Sequence, residues 1–470
     1  MNEKKKGDSE SYSFKKGASF ATGQIADQAA YQSFTFLVFT FYFAVIQLSI
    51  TLITIGFIIW AVWNSFNDPM LGYLSDRTHT RFGRRLPYIM IAIIPLGIIM
   101  FLLFTPPLPI GVANQLGNFA YFMIIIILFE FFYTMYSLNA TSLFPETFLS
   151  RDNRIKANNV RQVFLILGLF IAFILPGVFI DNYSLPSEDT VGQYQIFGIV
   201  VAIIVIIVGG IFIKFTPREK LEFKEDYKNA PGFFNSIKLC VKSKSFMWYI
   251  PAEIANWFVY GILPTLVPLY AKAVLGMEDA LMVSLLLACT FLSSAIFITF
   301  LWKPVVRKLG NRKAWMVSMA TWILTLLPLM FLGENMVAIA MIVFFFIGLG
   351  LSGSLYIIDL IVSDIIDEDE VNTGTRREAG YYGVNAFFLR LAVIIVFLSI
   401  GPVFIIADWE VIGSVTPEIQ LGLRVLMFVY PAVALVIAIL AIYKYPLHGE
   451  RLMDIKIKLQ EIHDEKKSRI

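Results

Sequence analysis

Charge is what this 470-residue chain has least of: only 16% of its residues are Asp, Glu, Lys or Arg, while 57% are hydrophobic. Ordinary soluble domains are roughly 45–50% apolar. Histidine is scarcer still, with only His79, His448 and His463, and no H-E-x-x-H pattern exists. The two cysteines, Cys240 and Cys289, are far apart. That spacing fits neither a zinc site nor a redox pair. No nucleophile–base constellation is visible, so an enzyme is not expected, and no catalytic residue, resident metal or cofactor is assigned. The formal net charge of +3 is too small to argue for nucleic acid. The polar N-terminus (MNEKKKGDSESYSFKKG) is not followed by an apolar core at signal-peptide distance, so no cleaved signal is expected.

Long apolar runs, by contrast, recur from end to end. Twelve candidate spans fall at about 18–46, 48–74, 87–104, 116–148, 158–181, 193–214, 245–274, 278–303, 313–332, 335–362, 380–407 and 418–443. Each is long enough to cross the roughly 30 Å hydrocarbon layer as a helix. The basic residues support this count. Segments 1–17, 75–86, 149–161, 214–244, 303–313, 376–377 and 444–470 hold 35 of the 38 Lys and Arg, whereas 105–115 and 181–192 hold none. Alternate loops are therefore basic, which places both termini in the cytoplasm and the chain, multi-pass, in the plasma membrane.

The basic segment 214–244 divides the spans six and six. The expected organisation is a cytoplasmic N-tail (1–17), a six-helix bundle (18–214), a cytoplasmic linker (215–244), a second six-helix bundle (245–443) and a cytoplasmic C-tail (444–470). A weak repeat about 226 residues apart matches DRTHTRFGRR to KPVVRKLGNRK. The fold class is thus an all-α membrane protein of two pseudo-symmetric halves with a central site between them. The second half has no counterpart of Asp68; Ala295 and Ile296 fall there.

Asp68 sits near the end of an apolar helix, where an acid is costly and asks for a partner or a function. Its surroundings are distinctive. Asn67, Asp68, Pro69, Gly72 and Asp76 are followed by Gly83, Arg84, Arg85, Pro87 and Tyr88. Together with SDIIDEDEVNTGTRREAGYYG (363–383) and SLFPETFLSRDNR (142–154), this resembles the glycoside–pentoside–hexuronide:cation symporter family, the melibiose-carrier-like branch of the major facilitator superfamily. The resemblance spans nearly the whole chain. It implies transport of a sugar or glycoside coupled to Na⁺, H⁺ or Li⁺, with relatives that move lysolipids. It also implies a cation site with three acids, which fall here on Asn64, Asp68 and a position near Ser137. One carboxylate of three remains; Asn64, Thr134 and Ser137 supply only neutral oxygens, which favours H⁺ coupling or facilitated diffusion over Na⁺. The family's basic residue on the eleventh span falls on Arg390. Read without the family, Arg390 is the one base inside YYGVNAFFLRLAVIIVF, and Asp68 is its expected anion.

Substrate-binding candidates lie on faces read from helical spacing. On the first span these are Gln24, Asp27, Gln28 and Tyr31, with Gln32 on the same stripe; on the seventh, Glu253, Asn256, Trp257 and Tyr260. The bland reading of each stripe is a helix seam or an interfacial belt. Arg161 resembles a family arginine near the substrate, and Arg390 is expected to contribute as well. Glu130, deep in apolar surroundings, is read as either a structural acid or a proton relay. Asp76, Arg77, Arg84 and Arg85 are expected to meet Asp364, Asp367, Arg376 and Arg377 across the halves as a cytoplasmic gate. Gly348-Leu-Gly350-Leu-Ser-Gly353 spells a dinucleotide fingerprint, but inside an apolar span it reads as close helix packing.

The leading expectation is a secondary carrier of a glycoside-like solute working by alternating access, with H⁺ or Na⁺ as coupling ion, a small-molecule solute and the bilayer as partners, and a monomeric state. The alternatives are a carrier of a lipid-like or amphipathic solute, or a membrane sensor or membrane enzyme.

Overall fold

The computed structural model describes residues 13–78, 80–148, 151–216, 233–374 and 378–468. Lipid offers the backbone no hydrogen-bond partners, so spans must satisfy their own, and helices do so. Among the described residues twelve long helical stretches result. In the first half they are α1 (Phe14–Thr40, continued by Phe41–Val45), α2 (Ile50–Arg77), α3 (Leu86–Leu102), α4 (Gln115–Thr147), α5 (Arg151–Phe173, continued by Pro176–Phe179) and α6 (Glu188–Phe215). In the second half they are α7 (Lys244–Ala273), α8 (Ala280–Phe297, continued by Ile298–Trp302), α9 (Lys303–Leu326), α10 (Val337–Thr373), α11 (Glu378–Ile406) and α12 (Pro417–Tyr443). A short linker helix (Phe233–Lys242) and a tail helix (Gly449–Ser468) lie outside the spans.

Among the described residues, nine helices are apolar and long enough to cross a membrane, and the 51-residue stretch Ala280–Met330 among them holds two of the twelve spans. The break between them falls inside α9, at Gly310, whose φ of 74° suits a residue without a Cβ, so residues 303–309 extend the eighth span. Short α3 and polar α1 complete the twelve. Helix starts are set by side chains at their N-termini: Ser49, Ser187, Ser243, Asp279 and Thr416 each accept from a backbone N–H of the first turn.

The tenth span runs past its expected end at 362 to Thr373, stopping at Gly374 (φ 73°). This extension carries Asp364, Asp367, Glu368, Asp369 and Glu370, all buried. The tail helix covers it: Lys456 Nζ lies 2.7 Å from Asp364 and 2.6 Å from Asp367, and Arg451 Nη2 lies 2.7 Å from Glu368.

Within the first half α1 packs on α5, α3 on α6 and α2 on α4; within the second, α9 and α8 pack on α10 and α7 on α12. The halves meet through α2 against α11 and α1 against α7. At the face away from the termini the halves are closed on each other. Ile50 N donates to Glu410 O (2.8 Å), Ala280 N to Asp181 O (3.0 Å) and Lys272 Nζ to Ser184 O (2.9 Å). Tyr183 and Ser284 hydroxyls are 2.6 Å apart. Aromatic pairs seal the same end: Phe57 stacks on Phe397 with centroids at 3.9 Å, and Phe43 packs edge-on against Trp409 at 5.2 Å.

Candidate functional site

Beneath that seal lies a cavity of about 700 Å³ between the halves. Its wall runs from Phe39 and Phe397 down to Thr141, Ser142, Tyr382 and Gly383, at the ends of α4 and α11 nearest the termini. Eleven of the thirty lining residues are aromatic, and the polar ones are concentrated on the α2–α4 side. A solute here would meet ring faces over much of its surface and a few fixed polar groups.

The polar corner is built by helical spacing. Asp68 on α2 faces Thr134 on α4, whose Oγ1 donates to Asp68 Oδ1 at 3.0 Å. Glu130, one turn before Thr134, places its Oε1 3.2 Å from the same hydroxyl. A hydroxyl has one proton, so Thr134 serves one carboxylate at a time. From the other half, Arg390 Nη2 reaches Asp68 Oδ2 at 2.5 Å, an ion pair spanning 322 positions in sequence. Both members are about one-fifth exposed, toward the cavity they line. Asn64 lines the cavity one turn before Asp68, is fully buried, and among the described residues neither of its amide atoms has a hydrogen-bond partner. Two carboxylates stand against one arginine here, so the corner is neutral with one acid protonated and carries one negative charge with both ionised.

Glu130 is the residue whose place in the site sequence reasoning missed. Counting carboxylates at the three positions suggested by resemblance finds one; the structure brings a second from elsewhere on α4. The signal was the four-residue step from Glu130 to Thr134, which puts both on one helix face. Ser137, expected in this corner, stands instead beside Asp27, because its further step along α4 carries it toward α1.

The stripe on α1 forms a chain. Arg161 Nε donates to Gln24 Oε1 (2.6 Å), Gln24 Nε2 to Asp27 Oδ2 (3.1 Å), and Gln28 Nε2 to the same oxygen (3.0 Å). Gln32 Nε2 lies 3.3 Å from Gln28 Oε1 and 3.2 Å from the Tyr260 hydroxyl in the other half. Of the residues expected to bind substrate, Tyr31, Trp257, Tyr260 and Arg390 line the cavity. Gln24, Asp27, Gln28 and Arg161 stand behind the wall, where they satisfy one another. Glu253 and Asn256 are also set back. Glu253, 1% exposed, accepts from Trp257 Nε1 (3.0 Å) and from Asn385 Nδ2 on α11 (3.1 Å), while Asn256 donates to Ala252 O (2.7 Å). A seventh-span face that is polar on one side of Trp257 turns those polar groups inward, away from the solute space.

The expected gate is described only in part. Arg376 and Arg377 lie outside the described residues, as does the side chain of Asp76. Arg77 covers the Tyr73 ring at 4.1 Å, Arg85 Nη1 donates to Ser75 Oγ at 2.8 Å, and Arg84 is half-buried in the same loop. Asp364 and Asp367 both bind Lys456, from their own half, and Asp364 also accepts from Asn311 (2.7 Å). The physical reason is proximity: the tail helix docks on the extended α10 and brings a cation to both acids.

Known proteins of similar sequence are transporters. The sodium-dependent lysophosphatidylcholine symporter 1 of Gallus gallus is 22% identical, over 86% of this chain and 81% of that one. The isoprimeverose transporter of Lactiplantibacillus pentosus is 22% identical, over 75% of this chain and 72% of its own. Among solved structures, the nucleoside transporter NupG superposes with a TM-score of 0.65 at 11% identity, covering 92% of this chain and 99% of that chain. The D-xylose-proton symporter does so with a TM-score of 0.64 at 13% identity, covering 93% and 98%. At such identities the structural likeness shows the fold alone, the twelve-helix major facilitator architecture. The family described as MFS/sugar transport protein matches residues 19–449, and the chain belongs to it.

Proposed function

We propose that this protein is a secondary active carrier that moves a glycoside-like solute through the bilayer by alternating access, in symport with Na⁺ or H⁺. The observation that carries the reading is the Asp68–Arg390 bridge, which joins the two halves on the wall of the cavity between them. An arginine stays charged, so its bond to Asp68 lasts until a cation competes for the carboxylate. Glu130 and Thr134 supply further ligands, and Asn64 offers an unpaired amide beside them. Cation entry weakens the cross-half bridge, and solute and ion together set which arrangement of the halves is favoured.

The basic loops support an orientation with both termini in the cytoplasm of a plasma-membrane carrier. With that orientation the seal is extracellular and the cavity reaches toward the cytoplasm, an inward-facing state. The protein acts as a monomer, without enzymatic activity or nucleic acid.

A second reading has its own observation. The aromatic lining also suits the apolar part of an amphipathic solute, and a relative named for lysophosphatidylcholine shares much of the chain. One experiment separates the readings: purified protein in liposomes, given labelled glycosides or lysolipids under imposed Na⁺ or pH gradients. Uphill accumulation of a glycoside supports the first reading; accumulation of lysolipid alone supports the second and removes the first.

A further inference from the structure

The order of donors along α1 decides what the cavity wall offers a solute. Arg161 can only donate, so the Gln24 oxygen faces it and the Gln24 nitrogen faces Asp27. The Asp27 carboxylate takes Gln28 Nε2 on the same Oδ2, which leaves the Gln28 oxygen for Gln32. The nitrogen of Gln32 is therefore the end turned toward Tyr260. Amide orientation is ambiguous in isolation. Here a donor-only cation and a carboxylate fix it from one end of the chain. In the bond that crosses between the halves, Gln32 donates and the Tyr260 hydroxyl accepts.

The phenol proton must then point elsewhere. Among the described residues Gln32 is the one hydrogen-bond partner drawn for Tyr260, and Tyr260 lines the cavity. The neighbouring Trp257, whose ring meets Tyr260 at 5.1 Å, has its own N–H committed to Glu253 and presents only its ring. Of the two α7 rings on this wall, Tyr260 is thus the one with a proton to give.

We propose that Tyr260 is a specificity-determining residue that donates to an oxygen of the solute, with Gln32, Gln28, Asp27, Gln24 and Arg161 as the chain that sets its polarity. The inference rests on the glycoside reading above and deepens it: the solute carries a hydroxyl, ring or glycosidic oxygen that acts as an acceptor at this point. A solute without that oxygen leaves the phenol proton unpaired in a desolvated site, at a cost of about tenfold in affinity or more.

The test uses full-length protein in liposomes, D-xylose as probe and its singly deoxygenated and singly fluorinated analogues as competitors. In the wild type one deoxy position loses about tenfold in apparent affinity, and fluorine there, an acceptor only, recovers part of the loss. In Tyr260→Phe that position no longer matters. Gln32→Glu is the decisive variant. Ionised, as its carboxylate stretch in the infrared must show at the pH used, residue 32 accepts only, so Tyr260 turns its proton onto it and the analogue ranking becomes that of Tyr260→Phe. Gln32→Leu leaves the proton free and keeps the wild-type ranking. Retention of the wild-type ranking in Tyr260→Phe or in Gln32→Glu overturns the proposal. Should the wild type bind none of these sugars, D-xylose is not its solute, and the hydrogen-bond polarity is still read by infrared spectroscopy. The phenol C–O stretch, isolated as wild type minus Tyr260→Phe, must show an accepting phenol that becomes a donating one in Gln32→Glu. An unchanged band sinks the proposal on its own.

Discussion

The α2–α4 seam of the first half and the α8–α10 seam of the second occupy equivalent places in the two bundles and are built from opposite materials. The first holds Asp68, Glu130, Thr134 and Asn67, whose amide donates to Glu130 O at 3.3 Å. The second holds glycine and serine. Ser293 and Ser294 donate to backbone oxygens of Phe345 (2.8 Å) and Gly348 (3.1 Å). A Cβ on Gly348 would collide with Ser293 Oγ and with the backbone oxygen of Thr290. Ala295, matched to Asp68 by the repeat, is exposed on the outer surface of its helix. Internal duplication therefore leaves a fold with two equal scaffolds and unequal chemistry. One seam carries acids beside the cavity; the other is closed by small residues and serine-to-backbone hydrogen bonds.

The comparison can be broken in several ways, the largest effect first. Asp68→Ala or Arg390→Ala leaves a partly buried charge without its partner, which costs roughly 3 kcal/mol or more and should abolish uptake in liposomes. Combining Asp68→Arg with Arg390→Asp should restore part of it; a swap as inactive as either single change would remove the bridge from the mechanism. In the packed seam, Gly348→Leu should lower the melting temperature in detergent by overpacking, at about 1–3 kcal/mol or more, because the obstructing atoms include the Thr290 backbone oxygen. Thr134→Val removes the hydroxyl shared by the two acids and should weaken cation response about tenfold, measured as the gradient needed for half-maximal uptake. The smallest effect belongs to the tail. Lys456→Ala removes pairs at a half-exposed lysine and should cost less than about 1 kcal/mol. Burial acts to depress the Lys456 ammonium, but its bonds to Asp364 and Asp367 outweigh that and raise it above 10.5. Its contribution is thus complete below about pH 10.5 and fades as pH rises through the higher folded value, which tail-helix proteolysis across alkaline pH can follow.

Much of this was legible in the sequence because the bilayer enforces it. Spans, loops and the two halves follow from hydropathy and basic-residue placement, and a lone arginine in an apolar run names its need for an acid. What escaped was register between helices. Nothing in the spacing of Glu253 or Asn256 says that they turn behind Trp257, since a helical stripe of this width has an edge that faces a neighbour. Gln24, Asp27 and Arg161 likewise serve each other because α5 lies against α1, a pairing that no local pattern encodes. The tail helix capturing Asp364 and Asp367 was hidden for the same reason. The glycine motif, in contrast, was readable, since small residues in a membrane helix permit close approach.

The central claim is that a cation entering beside Asp68 loosens the bridge to Arg390 and so drives solute movement. The most direct measurement is labelled-glycoside movement in liposomes with wild type and Asp68→Asn, run once with an imposed Na⁺ or pH gradient and once as equilibrium exchange. The account predicts gradient-driven accumulation in the wild type and none in Asp68→Asn, with exchange persisting. Accumulation by Asp68→Asn at the wild-type level would contradict it.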